Sequence, residues 1–253
     1  MEYKNILFEK NERIAKITIN RPHVKNAMDG PTFSELYSAF KEVQEDEDIG
    51  VAILTGAGNT FSAGADIKFL AKLKESGAQD LDVDLDDIFE IVEKIEKPVI
   101  AAVNGYCIAG AFELILTCDI IIAAENAIIG DTHARLGLVM SGGGTQRLPR
   151  LVGALKAKEM FFTCDLLNAI EAERIGLVNQ VVAPDKLEEA TFEMARKIVG
   201  NSIPAIGVLK SCINRGMEVD LATGLKLEKE LAAAFTYPDR EERMRAFAQR
   251  KKS

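Results

Sequence analysis

Over Arg13 to Asn20, RIAKITIN, apolar and polar residues alternate. Ile17 and Ile19 share one face, Lys16 and Thr18 the other, so a half-buried strand is expected. Arg21-Pro22 ends it. The period then becomes helical: Asp29 reads as a cap, Pro31 falls in the first turn, and Phe33, Leu36, Tyr37, Phe40 and Val43 recur on one face. Short apolar runs bounded by turn residues predict buried strands over 50–55 and 99–103, with further strands near 119–124 and 178–182. Ile88, Ile91, Val92 and Ile95 predict a helix between the second and third of these five strands. The intervening 72–87 segment is acidic and polar, and reads as mobile or irregular.

Pro184 marks a change. Beyond it the pattern is helical near 185–199, 204–215, 220–235 and 238–250, with little strand character. The organisation expected is an α/β core over 1–183 and a helical C-terminal region over 184–253 that packs on the core or on another subunit.

Composition narrows the partners. The chain has 253 residues, 47% of them hydrophobic, enough for a large core, and a net charge of −8. That balance disfavours nucleic acid and anionic membrane as partners, although Arg243, Arg245, Arg250, Lys251 and Lys252 cluster near the end. Cys107, Cys118, Cys164 and Cys212 form no C-x-x-C pair, which fits a reduced, cytoplasmic setting. The apolar stretch from Val99 to Gly130 is broken by Asn104, Glu113, Asp119 and Glu125, so it reads as core rather than as a membrane span. No metal-ligand spacing, P-loop or G-x-S-x-G elbow appears, and Gly56-Ala57-Gly58 lacks the third glycine of a dinucleotide fingerprint.

The candidate chemistry lies in Asn104 to Asp119, NGYCIAGAFELILTCD. A helix opening at Ala109-Gly110 presents unpaired N–H groups. Gly110, without a side chain, lets a ligand oxygen approach. Glu113 stands one helical turn on, a carboxylate beside an anion-binding amide. Apolar neighbours Phe112, Leu114 and Ile115 are expected to raise its pKa.

Several motifs in fixed order give this chain its resemblance to the crotonase (enoyl-CoA hydratase/isomerase) superfamily: RPHVKNAM at 21–28, FSAGADIKFL at 61–70, KPVIAAVNGYCIAGAFELILTCD at 97–119, GGGTQRLPRLVG at 142–153 and AERIGLVNQVV at 172–182. The resemblance implies a spiral of β-β-α units with a helical C-terminal oligomerisation region, and an acyl-CoA thioester as substrate, with no cofactor besides the coenzyme A it carries. It implies an oxyanion hole made by the backbone N–H groups of Ala65 and Gly110. It implies a homotrimer or a dimer of trimers, with Leu221, Leu225, Leu231 and Phe235 seeking a partner surface and Phe247 and Arg250 approaching CoA. Ala63, Asp66, Ile67 and Lys68 in the first loop, and Ser141 and Gly142 before the later helix, are candidate substrate or CoA contacts. Asp66 reads more simply as a helix cap.

Two positions depart from the family pattern. Hydratases of this family pair two glutamates; Glu113 matches the first, and His133 stands where the second is expected. Met140-Ser141 replaces a Pro-Gly ahead of the glycine run. Histidine can transfer protons near neutral pH, and Asp131 beside it is another carboxylate. The resemblance makes hydration of a 2-enoyl-CoA the leading expectation, with Glu113 and His133 catalytic, and the departure at His133 counts against plain hydration. Single-acid chemistry (isomerisation, decarboxylation or thioester hydrolysis) and a non-catalytic acyl-CoA binder are the alternatives.

Overall fold

The computed structural model describes residues 3–76 and 85–250. The chain opens with an antiparallel hairpin, β1 (Ile6–Asn11) and β2 (Ile14–Ile19). Its turn residues Glu12 and Arg13 both have positive φ, 52° and 65°, matching the twist a two-residue hairpin requires. Helix α1 (Gly30–Glu45) follows; the Asp29 side chain accepts the Thr32 N–H at 3.1 Å as its cap, and Pro31 lies in the first turn.

A spiral then builds the core, each turn laying down two short strands and then helix. The first has β3 (Val51–Gly56), β4 (Thr60–Ser62), α2 (Ile67–Ser76) and α3 (Leu85–Lys94). The next has β5 (Val99–Val103), β6 (Tyr106–Ile108) and α4 (Gly110–Ile115). It continues with β7 (Ile120–Ala124), β8 (Ile128–Gly130), α5 (Gly144–Val152) and α6 (Ala154–Thr163). Then come β9 (Leu167–Asn168), α7 (Ala169–Arg174) and β10 (Gln180–Val182). In the turns that open with β3, β5 and β7 the first strand joins a six-stranded sheet, β1-β2-β3-β5-β7-β10, parallel apart from β1. Their second strand joins a four-stranded sheet, β4-β6-β8-β9, parallel apart from β9. In the last turn the order reverses, β9 joining the smaller sheet and β10 the large one. The strand-to-strand corners of successive turns therefore stack, bringing the loops after β4, β6 and β8 to one place.

The region beyond Pro184 is helical: α8 (Leu187–Val199), α9 (Ile203–Gly216), α10 (Leu221–Ala234) and α11 (Arg240–Arg250). Helix α8 covers the face of the large sheet opposite the main core, with Leu187 and Ala195 packed among Ile14, Val51, Ile53, Ile100 and Ile122. Lys210 of α9 reaches Asp119 at 2.7 Å, which pins that helix to the end of the β5–β7 layer.

Three expectations change. Strand β2 is not half-buried: Thr18 is buried and Ile14 lies in the cluster under α8. Local alternation could not reveal a covering helix so distant in sequence. Strands β1, β4, β6 and β8 escape a periodicity reading because three of them span only three residues and β1 buries little beyond Ile6. Finally, the 72–87 segment is not irregular at its ends, since α2 runs to Ser76 and α3 starts at Leu85; residues 77–84 lie outside the described residues. Among the described residues, no helix is long and apolar enough to cross a membrane, and no group of three or more His, Cys, Asp or Glu side chains is arranged to hold a metal.

Candidate active site

The loop after β4 approaches the loop after β6 closely. Gly64 has φ +89°, and a Cβ on it would lie 2.9 Å from the Ile108 carbonyl oxygen and 3.0 Å from the Gly110 nitrogen; only glycine combines that backbone with that approach. Ala65 forms a parallel bridge with Met28, in which the Met28 N–H donates to Gly64 O and the Asp66 N–H to Met28 O, both at 2.8 Å. Such a bridge uses the neighbours of Ala65 and turns its own N–H away. On the other loop, Ala109 has φ 55° and ψ −126°. A non-glycine residue there carries strain of order 1–3 kcal/mol. That turn delivers Gly110 as the first residue of α4, where its N–H has no intrahelical acceptor. A Cβ on Gly110 would lie 3.5 Å from the Ala65 nitrogen, so the two amides border one small gap. Among the described residues, neither donates to a backbone acceptor.

The motif at 21–28 braces this arrangement. Asn26 is fully buried with φ 55°, a left-handed backbone that asparagine tolerates. Its Nδ2 donates to Ala57 O at 3.0 Å and Thr60 O at 2.7 Å, and its Oδ1 accepts the Arg21 N–H at 2.9 Å. Ser62 Oγ donates to Asn26 O at 2.7 Å and accepts the Gly64 N–H at 3.1 Å. Arg21 pairs with Asp29 at 2.8 Å. Asp66 does cap α2, accepting the Lys68 N–H at 2.9 Å.

Glu113 is 3% exposed on α4, and its Oε1 accepts the Gly144 N–H at 3.1 Å. Burial pushes its pKa above the usual carboxylate range; the Gly144 amide and the nearby His133 oppose that. The amide comes from the start of α5, where the glycine run is tightly enclosed. A Cβ on Gly142 would meet the Phe89 ring at 2.6 Å, and Gly143 has φ +89°. Arg147 donates to Gly142 O at 2.7 Å and holds Glu93 of α3 through Nε at 2.9 Å and Nη2 at 2.7 Å. The start of α5 is thus clamped to α3 while its amide faces Glu113.

His133 begins the short 3-10 turn His133–Leu136 after β8. Asp131, 1% exposed, grips it twice: Oδ1 lies 2.5 Å from the ring Nδ1 and Oδ2 accepts the His133 backbone N–H at 3.1 Å. Asp131, and more weakly Glu113, raise the His133 pKa against the effect of burial.

The structure thus brings Ala65, Gly110, Glu113 and His133 into one neighbourhood. Ala63 is tied to Lys25 O through its N–H at 3.0 Å, while Ile67 and Lys68 are exposed on the first turn of α2. Ser141 is exposed and does not cap α5, whose N-cap is Gly143. Phe247, exposed, and Arg250 lie on α11; on the same helix, Arg243 is tied to Gly200 O and Asn201 O at the α8–α9 junction. Sequence reasoning missed the Gly144 amide, the Arg147–Glu93 clamp and the Asn26 hub. The Asp-x-His spacing was the one local signal for the Asp131–His133 contact.

The profile of the enoyl-CoA hydratase/isomerase family matches residues 9–253. The short-chain-enoyl-CoA hydratase of Clostridium acetobutylicum is 41% identical over 254 positions, covering 100% of this chain and 97% of that protein. The crotonyl-CoA hydratase of Syntrophomonas wolfei is 40% identical over 255 positions, covering 100% and 98%. The crystal structure of an enoyl-CoA hydratase from Bacillus anthracis superimposes with a TM-score of 0.91 at 38% identity, over 98% of this chain and 97% of that one.

Proposed function

The chain belongs to the enoyl-CoA hydratase/isomerase family, and from that premise we propose that it adds water reversibly to a short 2-enoyl-CoA. The observation that carries this reading is a buried carboxylate, Glu113, held by the Gly144 amide one helical turn from a gap bordered by two backbone N–H groups. Glu113 takes a proton from water as the water oxygen bonds to Cβ of the enoyl group. The π electrons move onto the thioester oxygen, where the Ala65 and Gly110 amides hold the enolate; fixed donors aimed at developing charge are commonly the largest catalytic contribution. The His133 ring then gives a proton to Cα, completing the 3-hydroxyacyl thioester. Glu113 ends protonated and His133 neutral, and one proton passes through solvent to reset them. Helix α4 has only six residues, so the amide itself, rather than a long helix dipole, does most of the stabilising.

In this reading Ala63, Asp66, Ile67 and Lys68 on one side, and Ser141 and Gly142 on the other, border the CoA and acyl channel. A second reading, single-acid chemistry, draws on the imidazole at position 133. A screen across 2-enoyl-, 3-hydroxyacyl- and malonyl-type CoA thioesters separates them. Crotonyl-CoA is expected to be hydrated; turnover of another class with crotonyl-CoA left intact would overturn the proposal, and binding without any turnover would leave a binder.

The same reading makes the tail from 184 to 253 an assembly element, with Phe247 and Arg250 reaching CoA. No described residue of α10 is buried, and Leu221 and Leu225 are 78% and 49% exposed. A trimer, or a dimer of trimers, would cover them. Light scattering at micromolar concentration is expected to give three or six times the mass of the chain; a monomer would sink this.

A further inference from the structure

We propose that Asp131 is a positioning residue for the acid–base pair: it locks the His133 ring with Nδ1–H toward its own carboxylate, so that Nε2 is the atom that carries the proton to substrate. The inference rests on the proposed roles of Glu113 and His133, and its test is separable from them.

The geometry is specific. Both oxygens of a buried carboxylate are spent on one residue, one on the ring at 2.5 Å and one on the backbone N–H at 3.1 Å. Flipping the ring would put a carbon where Nδ1 sits and break the first contact. An ionised carboxylate can only accept, so opposite it Nδ1 is the donor and Nε2 is left for other work. A second histidine nitrogen fixed by a carboxylate is a general means of setting tautomer and basicity. Charge points the same way. Asp131 is 1% exposed, and among the described residues the His133 ring is its one ion-pair partner. An ionised carboxylate so deeply buried is costly unless paired, so the pair favours an imidazolium. The acidic groups facing that ring are Asp131, from the end of β8, and Glu113, from α4; both favour the charged form. Within the proposed reaction this makes His133 the acid, while Glu113, held by an amide, is the base.

The chain has only two histidines, His23 and His133, so isotope-labelled imidazoles give two NMR titrations, assigned with His23→Gln. In the wild-type chain the neutral His133 ring is expected as the Nδ1–H tautomer. In Asp131→Asn its midpoint is expected to fall by about 1–3 pH units, the usual effect of losing one adjacent charge. The alkaline limb of kcat should fall with it, KM should stay near wild type, and Asp131→Glu should recover part of both. An Nε2–H tautomer in the wild-type chain would overturn the inference even if no Asp131 variant folds. So would an unmoved midpoint in Asp131→Asn, or a kcat profile that ignores a moved midpoint. If the wild-type chain hydrates no 2-enoyl-CoA, the parent reading fails and the tautomer and midpoint still decide the role of Asp131.

Discussion

Glu113→Gln is expected to lower turnover of the best acyl-CoA substrate by about 10²–10⁴, the usual contribution of general acid–base catalysis, with thioester affinity nearly unchanged. Glutamine keeps the shape, and its carbonyl oxygen can still accept the Gly144 N–H that now reaches Oε1 at 3.1 Å. What it loses is the capacity to take a proton from water. Stability should move the other way. Burial raises the Glu113 pKa in the folded chain above its unfolded value, so the ionised side chain is disfavoured by folding. That penalty is absent below the unfolded pKa and complete above the folded one. The neutral variant should therefore melt higher than wild type near pH 7, and the difference should vanish as pH falls through the carboxylate range. His133→Ala should cost less turnover than Glu113→Gln, because solvent can supply a proton to Cα more readily than it can replace a positioned base. Full turnover by Glu113→Gln would remove Glu113 from the mechanism.

Much of this site is legible in the sequence, and what escapes has a common cause. Gly64, Gly110 and Glu113 stand out because their signals are local: a glycine before a helix and a carboxylate one turn inside it. The frame that aims them is made of contacts distant in sequence. Asn26 holds Ala57 and Thr60, Gly144 reaches Glu113, and Arg147 grips Glu93; no periodicity encodes such pairs. His133 is the clearest case. Read alone, it replaces an anion with a group that is neutral, or cationic when protonated. In the resting state of the proposed mechanism, with both carboxylates ionised and the imidazole protonated, the set Glu113, His133 and Asp131 carries one shared proton and one net negative charge, the same inventory as two carboxyl groups sharing a proton. The fold followed the same rule: long amphipathic helices and buried strands were readable, whereas three-residue strands that exist by pairing in the second sheet were not.

Gly110→Ala separates the fold from the chemistry most sharply. Gly110 does not have positive φ, and a Cβ there meets nothing closer than the Ala65 nitrogen at 3.5 Å, an ordinary van der Waals separation. Alanine is also a better helix former than glycine. The variant should therefore fold and melt at or slightly above wild type. Its methyl group, however, points into the gap between the two amides, where the proposed mechanism seats the thioester oxygen. Blocking or displacing one oxyanion donor typically costs about 10²–10³ in kcat, and a methyl between two donors should cost at least as much. Gly64→Ala is the contrasting control. There φ is +89° and the new carbon would lie 2.9 Å from Ile108 O, so activity and stability should fall together. Steady-state kinetics and thermal melts on both variants test this. A Gly110→Ala chain that turns over like wild type would mean that the gap beside Ala65 does not hold the oxyanion, whatever the role of Glu113.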